Sequence, residues 1–283
     1  MSDVTCSHGP SDRSFQEQHT EVAVSMVVGG TFQYRCATRR AELMSPGSLF
    51  LGNPGALYEC SHDHSTGDRC IAFHFTPELF AQFADAAPRF RTTRVPPSRV
   101  TAPWIARACA AMAGTGNPSW EELAIELAAR SIQLVNDIDH HLDDTRPDAP
   151  DAVARVTRAV RIIEHHFADD LPLQRLAADA RLSPYHFLRT FTRITGVTPH
   201  QFALRARLRR AAMRLANDDA RVLDIALDCG FGDLSNFNRT FRAEFGAVPR
   251  AWRRRVRNIP VDADLPHRRS RVGRALLRSV ENE

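Results

Sequence analysis

The residues best suited to chemistry are two cysteines and three histidines within a short stretch of the first half of the chain. They are Cys60, His62, His64, Cys70 and His74. Thiolates and imidazoles are suitable ligands for zinc, copper or nickel. On a strand the first three would share one face, and a hairpin turning at residues 65–68 could bring the other two opposite them. The stretch indicates a metal or effector site.

Other interpretations of this cluster stay open. The spacing is not that of a zinc finger, so the histidines can equally be polar residues at the mouth of a barrel, and the cysteines ordinary buried thiols. A redox role for the two cysteines would need a lowered thiol pKa, of which the sequence gives no sign. A metal-holding barrel could also be an enzyme, although no nucleophile–base pair accompanies the cluster.

The basic residues point to a different chemistry. The chain has 283 residues, a net charge of +4 and no lysine, so arginine supplies all of its Lys+Arg count. Residues 1–151 carry a charge of −7, whereas residues 152–283 carry +11. Codon bias explains the choice of arginine over lysine, but it does not explain this asymmetry. The second half is therefore the part expected to meet a polyanion.

Composition excludes several classes of protein. The chain is 43% hydrophobic and 25% charged, which is typical of a globular protein with room for two domains. No apolar run is long enough to span a bilayer, and the N-terminus does not resemble a secretory signal. The six cysteines are scattered, as in a reducing compartment. These features predict a cytoplasmic protein that does not enter a membrane.

The chain divides into a β-rich part and a helical part. Short runs of valine, isoleucine and aromatic residues between turn sequences predict a small barrel or sandwich in residues 15–76. Apolar residues at helical spacing then predict helices within residues 77–142. The remaining predicted segments are a polar linker at 143–151, an all-helical domain at 152–256 and an arginine-rich tail at 257–283.

Two segments of the helical domain, residues 176–202 and 225–252, repeat each other. The identical pairs are Ala177/Ala226, Asp179/Asp228, Phe187/Phe237, Arg189/Arg239, Thr190/Thr240, Phe191/Phe241, Gly196/Gly246 and Pro199/Pro249. Each copy has the pattern of a helix-turn-helix, with a turn at Arg181 or Gly230. Arginine would cost about 1–2 kcal/mol if this turn is left-handed. Ser183 is suited to cap the next helix of the first copy.

The second copy carries the more specific motif, Gly230-Phe231, Phe237, Phe241, Phe245-Gly246 and Pro249. With the repeat, this motif resembles the tandem helix-turn-helix DNA-binding domain of the AraC/XylS family of bacterial transcription regulators. The resemblance implies two recognition helices in successive major grooves of double-stranded DNA, held by a connecting helix. The residues it places toward DNA, or off the apolar face of these helices, are Tyr185, His186, Leu188, Arg189, Arg193, Leu234, Ser235, Asn236, Asn238 and Arg239.

The chemistry of these residues supports part of that assignment. Arginine reads guanine and asparagine reads adenine through paired hydrogen bonds, worth about 1–3 kcal/mol of discrimination each. Arg189 and Arg239 could equally hold phosphates, since half or more of protein–DNA hydrogen bonds go to the backbone. Besides the enzyme hypothesis raised by the cysteine–histidine cluster, a second rival hypothesis is an architectural protein that binds DNA without sequence preference.

For the N-terminal part, the resemblance implies a cupin-like sensor or dimerisation domain over residues 1–142. The predicted fold class is α+β, a cupin-like barrel with flanking helices followed by an all-helical tandem helix-turn-helix domain. The resemblance further implies a small-molecule effector, a possible homodimer and contact with RNA polymerase, while the cysteine–histidine cluster raises a metal as the alternative effector. The helical stretch 118–142 could form the dimer face or simply cover the barrel.

Overall fold

The structure is a computed structural model that describes residues 1–36, 39–83, 89–112, 120–138 and 148–257. The strands are β1 (Ser2–Cys6), β2 (Phe15–Gln18), β3 (Val22–Gly30), β4 (Phe32–Cys36), β5 (Glu42–Met44), β6 (Leu49–Gly52), β7 (Leu57–Ser61), β8 (Asp68–Phe75) and β9 (Arg94–Val95). The helices are α1 (Pro77–Ala81), α2 (Ala102–Met112), α3 (Trp120–Ile138), α4 (Pro150–His165), α5 (Leu173–Asp179), α6 (Pro184–Thr195), α7 (Pro199–Asn217), α8 (Val222–Asp228), α9 (Leu234–Phe245) and α10 (Pro249–Arg257).

The nine strands within the described residues form two antiparallel sheets, with the orders β1-β8-β3-β6-β9 and β2-β7-β4-β5. The longest pairing joins β3 to β8, from Val22 opposite Phe75 to Gly30 opposite Asp68. This arrangement confirms the predicted α+β class with a cupin-like N-terminal domain. Two strands differ from the expectation, since β1 precedes the predicted β-region and β9 lies within the stretch expected to be helical. Most of the predicted linker and nearly all of the tail lie outside the described residues.

The five-stranded sheet is covered on both faces. On one face Phe73 of β8 belongs to a buried cluster with Trp104 of α2 and Leu127 of α3. On the other face Cys70 of β8 joins Tyr34 of β4 in the core between the two sheets. Side chains alternate along a strand, so a single strand supplies both cores. The apolar face of α3 therefore covers the sheet, one of the two roles that the sequence leaves open.

The helices after residue 150 form two small cores that share α7. The first contains Phe187 and Phe191 of α6, and the second contains Phe237 and Phe241 of α9 together with Trp252. Each of the four phenylalanines is fully buried. The repeat thus places its aromatic residues inside each helical unit, as their three- and four-residue spacing predicts. None of the helices in the described ranges has the length and hydropathy that a bilayer-spanning helix requires.

The N-terminal part packs directly on the helical part. Ala106 and Ala110 of α2 are buried in the same cluster as Leu208, Ala211 and Ala212 of α7. Small residues on both helices allow their backbones to approach closely, and the buried apolar surface stabilises the contact. The connecting helix of the predicted DNA reader is therefore also the surface on which the N-terminal domain docks.

Candidate nucleic-acid interface

The first helix-turn-helix unit turns at Arg181. Its φ is 55°, which makes it the one non-glycine residue with positive φ in the described part of the chain. Ser183 then caps α6, since its side chain accepts a hydrogen bond from the backbone N–H of His186 (3.3 Å). Pro184 is the first residue of α6, and Gly196 ends the helix in the left-handed conformation. The predicted turn and both helix ends are confirmed.

The second unit repeats this geometry with different residues. Gly230 occupies the turn with φ 82°, and a β-carbon there would lie only 2.4 Å from the carbonyl oxygen of Ala168. Asp233 caps α9 by accepting a hydrogen bond from the N–H of Asn236 (2.7 Å). Gly246 ends α9 with φ 69°. A carboxylate thus replaces the serine of the first unit at the cap, a role the sequence analysis does not assign.

The N-terminal half of α6 projects away from the core. Tyr185 is 69% exposed, His186 and Arg189 are exposed, and Leu188 is half-buried. The guanidinium carbon of Arg189 lies over the Tyr185 ring, 5.7 Å from its centroid. This contact lets the ring face attract the cation and hold it on the helix surface. The two side chains form one exposed unit, with hydrogen-bond donors and an aromatic face available to a ligand.

The same half of α9 presents polar side chains. Of the five predicted residues on this helix, three are exposed, namely Ser235, Asn236 and Arg239. The other two, Leu234 and Asn238, are half-buried. The Asn236 Oδ1 accepts a hydrogen bond from Nη2 of Arg239 (3.2 Å), and its carbonyl accepts one from the Thr240 hydroxyl (2.7 Å). Asn236 and Arg239 are therefore coupled to each other before any ligand arrives.

Most arginines of the connecting helix α7 hold the protein together. Arg207 donates to the carbonyl oxygens of Phe167 (2.7 Å) and Gly230 (3.1 Å), so that it ties the turn of the second unit to the end of α4. Arg209 is buried and pairs with Glu164. A smaller part of the positive charge of residues 152–283 is consequently available to a polyanion than the sequence count implies.

The C-terminal ends of α6 and α9 face the N-terminal domain. Arg94 donates from Nη1 to the carbonyl oxygen of Ile194 near the end of α6 (2.8 Å). At the end of α9, the buried Glu244 lies 3.6 Å from Nε of Arg99 and accepts a hydrogen bond from Arg205 (3.0 Å). The contacts made by Arg94 and Arg99 link positions that are 100 or more residues apart in the chain. No sequence pattern signals them, because each residue taken alone is typical of a surface.

One predicted residue has a different role here. Arg193, in the last turn of α6, forms an ion pair with Asp148. The carboxylate comes from the segment that precedes α4, on the edge of the predicted linker. This pairing occupies the guanidinium of Arg193, whereas Arg189, one turn earlier, has no carboxylate ion pair among the described residues.

The predicted cysteine–histidine cluster is only partly brought together. Cys60 and Cys70 are buried between the sheets, and burial raises the pKa of both thiols well above its ordinary value. His62 is also buried, and its Nε2 lies 2.7 Å from Oδ1 of Asp68. The high thiol pKa values give no support to a reactive cysteine.

The structure adds two residues that the sequence analysis missed. Among the described residues, the possible ligand atoms of Cys6, His8 and His62 lie within 4.8 Å of one another. His64 and His74 do not belong to this group. The signal in the sequence is the alternation of Cys6 and His8, which places both on one face of an extended segment. Only the pairing of β1 with β8 brings that segment to His62.

A second polar group lies between the sheets. The His19 ring stacks on Tyr58, with 4.3 Å between centroids, and its Nε2 lies 2.8 Å from the Tyr34 hydroxyl. Burial, with a smaller contribution from the charge of His74, lowers the pKa of His19 to about 4. The imidazole is therefore neutral at physiological pH. The aromatic side chains fill this part of the space between the sheets.

Comparison with known proteins agrees with the two-part structure. The family profile described as the AraC-like ligand binding domain matches residues 3–131, and that of a helix-turn-helix domain matches residues 176–255. The HTH-type transcriptional activator RhaS of Klebsiella pneumoniae is 38% identical over 97 residues, which are 34% of this chain and 35% of that protein. The regulatory protein PocR of Salmonella typhimurium is 31% identical over 103 residues, 36% of this chain and 34% of that protein.

The aligned region thus spans about a third of the length of these curated relatives. Among solved structures, the DNA-binding domain of AdpA in complex with a target DNA is 29% identical, with a TM-score of 0.35. It covers 37% of this chain and 96% of that chain. The two profile matches together span most of the chain and follow the order of its sheet domain and helical domain. The chain therefore belongs to the AraC family, with an AraC-like ligand-binding domain ahead of its helix-turn-helix domain.

Proposed function

We propose that this protein is a sequence-specific transcription regulator that binds double-stranded DNA through α6 and α9, its two recognition helices. The observation that carries the proposal is that both helices are built alike, each with a cap, a buried phenylalanine face and an exposed N-terminal half. A single helix, α7, joins the two units. Two such helices could enter successive major grooves, where their side chains would reach base edges.

The residues proposed to face DNA differ in role. Arg189 and the coupled pair Asn236–Arg239 have the donors and acceptors that read base edges, while Tyr185 and Leu188 can contribute apolar contact. His186, Leu234, Ser235 and Asn238 complete the proposed interface. Arg193 would first have to leave Asp148. Exposed arginines elsewhere in residues 152–257 would supply the sequence-independent attraction to phosphates.

The N-terminal domain is proposed to sense an effector and to control the recognition helices. It contacts α7 through α2, the end of α6 through Arg94, and the end of α9 through Arg99. An effector that changed the sheet domain could thus alter the spacing or freedom of both units. A rearrangement of this docking surface, rather than a catalytic step, is the proposed output, and we assign no enzymatic activity.

The division of the chain is proposed as a sensor in residues 1–142, a linker at 143–151 and a DNA reader at 152–256, with the tail beyond. By analogy with the activator RhaS, we propose that the protein acts on transcription as an activator in the cytoplasm, as a homodimer that contacts RNA polymerase. These partners are inferred from the family alone.

The experiment that tests the function is selection of binding sites from random DNA by the full chain. We expect an enriched motif of two half-sites about 10–10.5 bp apart. Arg189→Ala should relax the sequence preference in one half-site and Arg239→Ala in the other. Arg35→Ala, which removes an exposed arginine of the sheet domain, is the matched control and should leave the motif unchanged.

Two results would contradict the proposal. Absence of any enriched motif, with affinity that depends steeply on salt but not on sequence, would favour an architectural DNA-binding protein. A uniform loss of affinity in both half-sites for each variant would show that these arginines hold phosphates, and base reading would then have to be assigned to other residues of the two helices.

A further inference from the structure

We propose that Cys6, His8 and His62 form a binding site for a transition-metal ion at the edge of the N-terminal domain. The possible ligand atoms of the three side chains lie within 4.8 Å of one another. They come from two different parts of the chain, since Cys6 ends β1, His8 follows it and His62 follows β7. The site is a separate property from DNA recognition, because none of its residues belongs to α6 or α9.

The backbone holds these segments close together. Cys6 is paired with Asp68 at the start of β8. The carbonyl of His8 accepts a hydrogen bond from the N–H of Gly67 (2.8 Å), which fixes the end of β1 against the turn between β7 and β8. Gly67 has a φ of 69°, and a β-carbon there would lie 3.0 Å from the carbonyl oxygen of Cys6. Glycine in this turn thus permits the close approach that assembles the three side chains.

His62 supplies the second, independent observation. Its side chain is only 1% exposed, and its Nε2 is occupied by Asp68 at 2.7 Å. Its Nδ1 is buried and has no hydrogen-bond partner among the described residues. Leaving a buried polar atom unpaired is costly, so such an atom calls for a ligand. A metal ion bound by Nδ1 would supply the missing partner.

Asp68 is placed as a positioning residue. Its Oδ1 contacts His62, and its Oδ2 lies 3.2 Å from the sulfur of Cys70. A carboxylate that binds the far nitrogen of a ligating histidine fixes the ring orientation and increases its basicity, as is common in metal sites. The fold therefore aligns the Asp68 carboxylate, the His62 imidazole and its unpaired Nδ1 as a metal site would require.

The donor set selects the class of metal. One thiolate and two imidazoles suit zinc and its neighbours among the transition metals, whereas magnesium and calcium require oxygen ligands. Three protein ligands would leave a fourth position for water or another ligand. Cys6 and His8 are only partly buried, so both side chains can move toward His62. On binding, the Cys6 thiol forms a metal–sulfur bond and releases its proton to solvent.

The experiment uses the full chain, reduced and freed of metal with a chelator, and titrated with Co²⁺ as a spectroscopic probe and with Zn²⁺ as competitor. We expect one equivalent of Co²⁺ to bind, with a sulfur-to-cobalt charge-transfer band that Zn²⁺ removes. Cys6→Ser should abolish that band, and His8→Ala should weaken binding at least tenfold. Asp68→Asn should weaken it about 10- to 100-fold. His64→Ala is the matched control and should bind like the unaltered protein.

Circular dichroism of each metal-free variant separates a lost site from a lost fold. Cys6 and His8 are only partly buried, so we expect their variants to keep the spectrum of the unaltered chain. The proposal is overturned if the unaltered protein shows no charge-transfer band with Co²⁺, or if folded Cys6→Ser retains it. Neither readout requires DNA, so failure of this site would leave the proposed DNA function standing, and the converse also holds.

Discussion

Arg94 of β9 donates a hydrogen bond from Nη1 to the carbonyl oxygen of Ile194, 2.8 Å away, in the last turn of α6. Nη1 of Arg94 also donates a hydrogen bond to the carbonyl oxygen of Leu43 (3.3 Å). Nε of the same side chain lies 3.6 Å from the Glu42 carboxylate. A cation at the carboxyl end of a helix is stabilised by the helix dipole. One buried side chain thus joins the edge of the sheet domain to the proposed first recognition helix.

Replacement of Arg94 should weaken both the fold and the docking of the domains. Arg94→Ala would leave Glu42 largely buried without its cation, and loss of one partner of a buried ion pair costs about 3–5 kcal/mol. We therefore expect a clear fall in the urea midpoint. Arg99→Ala is the control, since that side chain is 69% exposed and its pair with Glu244 should contribute at most about 1 kcal/mol. Equal effects of both variants would argue against the assigned role of Arg94.

Alanine variants of the two positive-φ glycines in the second helix-turn-helix unit distinguish the cost of backbone strain from the cost of a steric clash. Gly230 and Gly246 both have positive φ, so alanine at either costs about 1–2 kcal/mol. At Gly246 a β-carbon has no neighbour within 4 Å, whereas at Gly230 it would meet the backbone of Ala168 at 2.4 Å. We expect Gly230→Ala to lower the free energy of unfolding well beyond Gly246→Ala in thermal or urea unfolding. Similar losses of unfolding free energy in both variants would mean that the backbone at Ala168, between α4 and α5, moves aside at little cost.

Replacing Arg181 by glycine should stabilise the first helix-turn-helix unit. Arg181 adopts φ 55°, a conformation that costs a non-glycine residue about 1–2 kcal/mol. Glycine removes this strain but adds about 0.5–1 kcal/mol of backbone entropy to be lost on folding. Arg181→Gly should therefore raise the free energy of unfolding by up to about 1.5 kcal/mol. Arg175→Gly, within helix α5, should lower it instead; a loss of stability in Arg181→Gly would show that its side chain makes a stabilising contact.

His19 should make the protein less stable in weak acid. Its pKa is about 4 in the folded chain and about 6.5 when unfolded, so between these values the unfolded state binds more protons. Its contribution to stability is complete above about pH 6.5 and is lost as the pH falls toward about 4. The full change amounts to about 3 kcal/mol.

Urea unfolding across this pH range tests that expectation. His19→Asn removes the titrating imidazole, so its unfolding free energy should fall less steeply with decreasing pH than that of the unaltered chain. The control is His165→Asn, a substitution of an exposed histidine at the end of α4. Parallel curves for the unaltered chain and His19→Asn would contradict a lowered pKa.

Asn236 and Arg239 should act as one unit in DNA binding, if the proposed function holds. Because Arg239 donates to Oδ1 of Asn236, removing either side chain frees the other. Single alanine variants and the double variant should therefore be non-additive by about 0.5–3 kcal/mol in binding to the selected site. The pair Arg189 and Arg239 lies on different helices and should be additive within about 0.5 kcal/mol. Additivity in both pairs would contradict the coupling.

The local structure of the helical domain follows from its sequence. The spacing of Phe187, Phe191, Phe237 and Phe241 predicts their burial, because residues three and four apart share one helix face. Ser183 predicts the start of α6, and the repeat predicts a turn at Arg181, although only the structure shows that this residue is left-handed. Each of these features depends on interactions within a few residues, which is why a linear pattern carries them.

Contacts between segments that are distant in the sequence could be identified only from the tertiary structure. The sequence identifies His62 as a possible ligand, but only the pairing of β1 with β8 places it beside Cys6 and His8. Arginines such as Arg94 and Arg207 read in the sequence as free charge, whereas folding directs them to carbonyl groups 23 to 100 residues away. Side-chain type determines what a residue can bond, and the chain's path determines which partner it meets. For this protein the sequence alone therefore determines the helical units and their resemblance, while folding decides the domain interface and the composition of the proposed metal site.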